Sequence, residues 1–447
     1  MLRARLLTPL ETGGTRWEPD AGVVVGPSGR IEWVGPWSQR PACAQKPALA
    51  PEPAPESAPG PVSAPVFDLR PLVVMPGLVD LHIHLPQFPS AGLGAGLDLL
   101  TWLERHVFPL ERGYDVPTAE RLAPQVFRAL ARAGTTTVLA YGAIWADSLD
   151  ATFRAAEAHG IRAVIGKVMM DRVTYDDRLP RDRILDVSLR QSAELAERWN
   201  GRDDGRLRYA FTPRFAVSCS ADMLRESAAL AGQMGAYWQT HLAEDLGEIA
   251  QVRRLFPEAR DYLDVYDRAG ALGERSIFAH AIHLSDREVA RLVETGSRVA
   301  HCPASNMFLA SGVMPLARYL ERGMIVGLGS DVAAAPDPSI VGQMRTGFYT
   351  QNALRVSTGD ARPILDPLGW LRLGTLDGAR VLGLEGEIGS LEPGKEADLI
   401  AVDAELTAPL PDMEPDGDPE AVASRLIFRS HPDMVRGAWV RGRLLET

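Results

Sequence analysis

Cysteine is scarce: Cys43, Cys219 and Cys302 are the three thiols in 447 residues, and they lie far apart. Three separated thiols build neither a disulfide framework nor a four-thiolate metal site. Lysine is as rare, with only Lys46, Lys167 and Lys395 among 47 basic residues. The 58 acidic residues leave a formal charge of -11. That balance argues against nonspecific contact with nucleic acid or an anionic membrane, since both need a positive field. Long apolar runs are missing too: none approaches the ~20 residues of a membrane span. The stretch from Met1 to Pro9 also lacks the apolar core of a secretion signal. A soluble cytoplasmic protein that binds neither nucleic acid nor membrane is expected.

What the chain does have is 46% hydrophobic residues, ample for a large core. Proline is unevenly placed. Between positions 41 and 65, eight of 25 residues are proline and seven are alanine. No period of 2 or 3.6 survives there, so this stretch reads as a surface loop or linker without chemistry. Around it the pattern is strand-like. Ala21 to Val25 and Arg30 to Val34 flank Gly26-Pro27-Ser28-Gly29, a hairpin signal. Asp398 to Val402 and Val435 to Leu445 read as further short strands.

The middle of the chain alternates differently. Short apolar or β-branched runs recur at Leu78–His84, Thr135–Tyr141, Arg162–Met170, Leu207–Pro213, Ala236–Leu242, Ser276–Ala281, Arg298–Cys302 and Ile325–Asp331. Most are separated by segments of helical pattern, and eight such repeats predict a closed (β/α)8 TIM barrel. The expected architecture is therefore a barrel over 72–385 and a small β-sandwich domain built from both chain termini, 1–71 and 386–447.

In such barrels chemistry sits at the C-terminal strand ends, and the reactive residues fall there. The first strand ends in His82-Ile83-His84, whose i and i+2 histidines face one side. His241 ends the fifth strand, His280 the sixth and Asp331 the eighth. Imidazoles and a carboxylate converging in one mouth suit a borderline divalent cation. We read a metal site of His82, His84, His241 and Asp331, with His280 adjacent. Such a set leaves room for water and is catalytic in type, because structural zinc sites are closed. The fourth strand ends without lysine, at Pro213-Arg214, so one metal is expected and not two. Glu244, three residues beyond His241, is placed to shuttle protons. Gly389 to Lys395 matches half of a phosphate loop but lacks the Ser or Thr and precedes a strand, so no nucleotide site is expected there. His301 is left open between substrate contact and packing.

These residues resemble the amidohydrolase superfamily and, within it, the guanine deaminases. The broad likeness rests on Met75-Pro76-Gly77 through His84, then His241, His280, Asp331 and Gly389 to Asp398. The narrower likeness adds Pro86-Gln87, Gly166-Lys167-Val168, Thr212-Pro213-Arg214-Phe215, His301-Cys302-Pro303 and Ser305-Asn306. The resemblance implies zinc-dependent hydrolytic deamination of guanine to xanthine and ammonia, with a homodimer as the family expectation. It implies that Gln87 and Arg214 hydrogen-bond the carbonyl and ring-nitrogen edge of the purine and that Phe215 packs on the base. Iron would suit the same nitrogen and oxygen ligands. Ala333-Ala334-Ala335 stands where relatives carry glycines, which bears on the pocket wall. The other readings are a barrel hydrolase for another aminopurine, a pterin or a triazine, and a non-catalytic scaffold.

Overall fold

The computed structural model describes residues 1–41, 65–410 and 417–447. The Pro/Ala-rich stretch expected as a loop lies, but for its two end residues, outside the described residues. The chain opens with β1 (Leu2–Pro9), β2 (Thr15–Val25) and β3 (Ile31–Pro36), antiparallel to one another in sequence. Gly29, at φ +77, completes the turn between β2 and β3, a left-handed conformation that glycine adopts without a Cβ penalty. Then β4 (Phe67–Pro76) pairs parallel with β1. This strand crosses the boundary expected at 71/72.

The barrel follows. Its strands are β5 (Leu78–His84), β6 (Thr135–Tyr141), β7 (Arg162–Gly166), β8 (Val168–Met169), β9 (Leu207–Pro213), β10 (Tyr237–Leu242), β11 (Ser276–His280), β12 (Arg298–His301) and β13 (Ile325–Leu328). Apart from β8, which pairs with β9, they form one parallel path from β5 through β6, β7, β9, β10, β11 and β12 to β13. Every residue of β5 and β6 is buried, as expected of parallel strands covered on both faces.

Two strands differ from expectation by more than one end residue. The third breaks at Lys167, which falls between β7 and β8. The eighth stops at Leu328, three residues short of Asp331. A Cβ at Gly329 would lie 2.7 Å from the Cβ of His82, so the chain passes too close to β5 for any side chain there. The seam between β13 and β5 is closed by single bonds. Asp331 N–H donates to the His82 carbonyl at 2.7 Å and His84 N–H to that of Val332 at 3.1 Å. Buried Asp80 accepts from both the amide and the hydroxyl of Ser330, at 2.9 and 2.6 Å.

The chain returns through β14 (Leu399–Val402), β15 (Val435–Val440) and β16 (Arg443–Leu444). With the first four strands these make a seven-stranded sheet in the order β16-β15-β14-β4-β1-β2-β3. A helix over Pro419–Phe428 sets the Phe428 ring edge-on to Phe348, with centroids 4.8 Å apart. Arg162 at the start of β7 ties barrel to sheet: its Nε donates to Asp398 at 2.9 Å and its Nη2 pairs with Glu396. No described helix is long and apolar enough to cross a membrane.

Candidate active site

The C-terminal strand ends collect the reactive side chains. His84 and His241 point their Nε2 atoms at each other, 3.2 Å apart. Asp331 Oδ1 lies 3.3 Å from His82 Nε2 and 3.6 Å from His84 Nε2. Two triads, His82-His84-His241 and His82-His280-Asp331, have ligand atoms mutually within 4.8 Å. Four donors around zinc at about 2.0–2.1 Å would stand roughly 3.3–3.4 Å from one another. The spacing therefore fits a single small cation. Burial lowers the pKa values of all three histidines, which favours neutral imidazoles, the form that can ligate a metal. His82 Nε2 is buried with no hydrogen-bond partner. The donor set fits the cation the sequence implies.

Outer contacts fix these rings. His241 Nδ1 lies 2.7 Å from the Arg214 carbonyl, so this nitrogen carries the proton and Nε2 is free to ligate. His280 Nδ1 is 2.8 Å from Asn306 Oδ1, leaving its Nε2 facing Glu244 Oε2 at 3.4 Å and Asp331 Oδ2 at 3.8 Å. His280 and Asp331 sit at φ +68 and +51, left-handed conformations that cost energy in non-glycine residues and cluster at functional sites. Burial opposes ionisation of Asp331, but His82 alongside holds its carboxyl below the usual range.

Glu244 is buried. Its Oε1 is 3.4 Å from Ser311 Oγ, and burial, followed by the charge of Asp331, raises its pKa well above the usual carboxylate range. Neighbouring Asp245 and Glu248 are not loose loop acids. They form the capping box of the helix Leu246–Leu255, and Glu248 Oε2 accepts the Glu244 amide at 3.0 Å. That bond sets the position of the Glu244 backbone.

Gln87, Arg214 and Phe215 line the same cavity as His84, His241, Glu244, His280 and Asp331; Ala334 and Leu103 also border it. Behind this lining stands a residue that the sequence does not mark. Glu111, fully buried, accepts from Gln87 Nε2 at 2.7 Å, from Arg214 Nη1 at 2.8 and 2.7 Å, and from the Tyr175 hydroxyl at 2.7 Å. Nothing in the run Phe108 to Asp115 marks it out. Tyr141, also unforeseen, packs its ring 4.5 Å from His84 and 4.9 Å from His82 between centroids. Lys167 lies apart: its Nζ donates to Ser188 Oγ at 2.8 Å. His301 is buried outside the cavity lining, with neither ring nitrogen hydrogen-bonded.

The amidohydrolase family model matches residues 73–445. A probable guanine deaminase of Deinococcus radiodurans is 41% identical over 340 residues, 75% of this chain and 74% of the relative. The guanine deaminase of Escherichia coli is 35% identical over 430 residues, 95% and 91% of the two chains. A solved structure of the E. coli enzyme superposes with a TM-score of 0.88 over 99% and 98% of the chains at 32% identity. The guanine deaminase of C. acetobutylicum, solved with guanine in its active site, gives 0.88 over 99% of each chain at 26% identity. The chain belongs to the amidohydrolase family and, within it, to the guanine deaminase group.

Proposed function

We propose that the protein hydrolyses guanine to xanthine and ammonia, using one divalent cation, zinc, held by His82, His84, His241 and Asp331. The observation that carries this reading is the meeting of that ligand set with Arg214, Gln87 and Glu244 around one cavity. Bound there, the cation supplies Lewis acidity, which makes water a strong nucleophile near neutral pH.

The protein's own residues do the rest. Asp331 and His280, 3.8 Å apart, take a proton from the attacking water as its oxygen bonds to C2 of the base. Glu244, whose burial favours the protonated form, gives its proton to ring nitrogen N3. The C2–N bond then breaks, and the amino group leaves as ammonia with the proton that Asp331 and His280 held. The remaining hydroxyl proton at C2 returns to Glu244, leaving xanthine with a proton on N3. Attack removes the aromaticity of the ring, so acid and base must act in the same transition state. Gln87 and Arg214 hold the carbonyl and ring-nitrogen edge of the base, and Phe215 packs on its face.

Action on free guanine in the cytoplasm, as a homodimer and without nucleic acid or membrane, belongs to the same proposal. A panel of guanine, 2-aminopurine, a pterin and a triazine, followed by ammonia release, tests it. Guanine is expected to lead. A leading rate on any other member would refute the substrate assignment.

A further inference from the structure

Glu111 touches neither the metal ligands nor the reacting centre, yet it is bonded to both residues assigned to the base. Its four short contacts come from three side chains, Gln87, Arg214 and Tyr175. Facing a buried guanidinium, it is a carboxylate, and a carboxylate only accepts. The Gln87 atom 2.7 Å from Glu111 Oε1 must then be the amide nitrogen, a choice made here by chemistry and not by the look of the amide. Gln87 Oε1 is left buried and without a hydrogen-bond partner, on a side chain that lines the cavity. Arg214 spends Nη1 on Glu111, while its Nε and Nη2 make no hydrogen bond among the described residues.

Gln87 Nε2 and Arg214 Nη1 share the same Glu111 Oε1, at 2.7 and 2.8 Å, so the two side chains stand next to each other. Together they present an acceptor beside donors. That pattern complements a lactam edge, a ring N–H beside a carbonyl. With Arg214 facing the ring substituent and Gln87 Oε1 the ring nitrogen, it opposes an amidine edge, a bare ring nitrogen beside an amino group. Without Glu111, the Gln87 amide could turn over and offer its donor instead.

We propose that Glu111 is a positioning residue that fixes the hydrogen-bonding polarity of the base-recognition wall, so that the site takes 6-oxopurines and rejects 6-aminopurines. The inference rests on the assignment of Gln87 and Arg214 to the base edge. A structural acid would stabilise the fold and leave the choice of purine untouched. A polarity-setting acid governs the choice itself.

The test is direct binding of hypoxanthine and adenine, which share a ring system, lack the 2-amino group and carry opposite edges. Affinities are measured by calorimetry on the metal-loaded protein, with folding and metal content checked for each variant. The parent prefers hypoxanthine. Glu111→Gln is expected to lower the preference about tenfold or more, the worth of one buried hydrogen bond to a charged partner. The double variant Gln87→Glu with Glu111→Gln keeps one carboxylate in the cluster and returns an acceptor-only group to position 87, so it is expected to recover the preference. If Glu111→Gln does not fold, this charge-conserving pair decides alone. A folded pair with no preference for hypoxanthine would overturn the proposal. So would an unchanged preference in Glu111→Gln while Gln87→Leu abolishes it. An unchanged preference in Gln87→Leu would overturn the base-edge assignment itself, and the role of Glu111 with it.

Discussion

Replacing Glu244 by Gln removes one transferable proton and almost nothing else. The two side chains have the same shape, and Glu244 bonds to Ser311 and faces His280, with no hydrogen bond to His82, His84 or His241. The metal ligands should therefore keep their geometry, and metal content should match the parent. The loss falls on proton delivery to N3. A positioned acid or base contributes about 10²–10⁴-fold, or roughly 2.7–5.5 kcal/mol of barrier. The structure argues for the upper half of that range. Glu244 is 2% exposed, so bulk water has little access to take over the transfer. A kcat reduced by ~10³ or more at unchanged metal occupancy is expected. The assay is guanine consumption on protein whose metal has been measured by mass spectrometry. A fully loaded Glu244→Gln enzyme with kcat within tenfold of the parent would refute the assignment.

Arg214→Lys keeps a cation for Glu111 but loses the fork of donors, and Arg and Lys are not interchangeable at such a site. It should cut kcat/KM for guanine by about tenfold or more with little change in metal content, since His241 is held by the Arg214 carbonyl. Parallel loss of metal would make Arg214 structural. Arg162→Met removes the salt bridge of Asp398, 2% exposed, while Glu396 keeps Arg441 and Arg30. Leaving the Asp398 carboxylate buried without its arginine costs about 3–5 kcal/mol. At ~2.1 cal/mol/K per residue over this chain, that lowers Tm by about 3–5 °C; an unchanged Tm in a thermal melt would contradict it. Lys167 is held by burial at a pKa of about 7, against 10.5 in the open chain. Between those values the unfolded chain binds the extra proton, so stability rises with pH across the window. Lys167→Met should therefore be more thermostable than the parent at pH 7, with the gap closing towards pH 10. A gap that widens with pH would reverse the sign and refute the argument.

The convergence of His82, His84, His241, His280 and Asp331 was legible because strand periodicity and the strand-end rule for barrels act locally. The β5 to β12 runs are bounded by their own sequence, and all seven residues of Thr135–Tyr141 read as one strand. Glu111 was not legible. Its role arises from Arg214, 103 positions away, and no local pattern encodes a pairing of that range. Asp80 was hidden for a related reason: it lies inside the motif that carries the histidines, but its work is to bond Ser330 across the seam. The strand break at Lys167 is hidden because apolar residues continue on both sides of it, Ala163 to Ile165 and Val168 to Met170. At Gly166, a Cβ would come within 1.8 Å of Thr212 Oγ1, a constraint set by β9 and invisible in β7. The order of the terminal sheet, with parallel β4 between β1 and β14, is likewise a matter of long-range pairing.

The account stands most directly on guanine conversion by protein of known metal content. Purified protein stripped with a chelator should be inactive. Restoring one equivalent of zinc per chain should bring back stoichiometric formation of xanthine and ammonia from guanine. Full activity in the stripped protein, or none after one equivalent is bound, would contradict it.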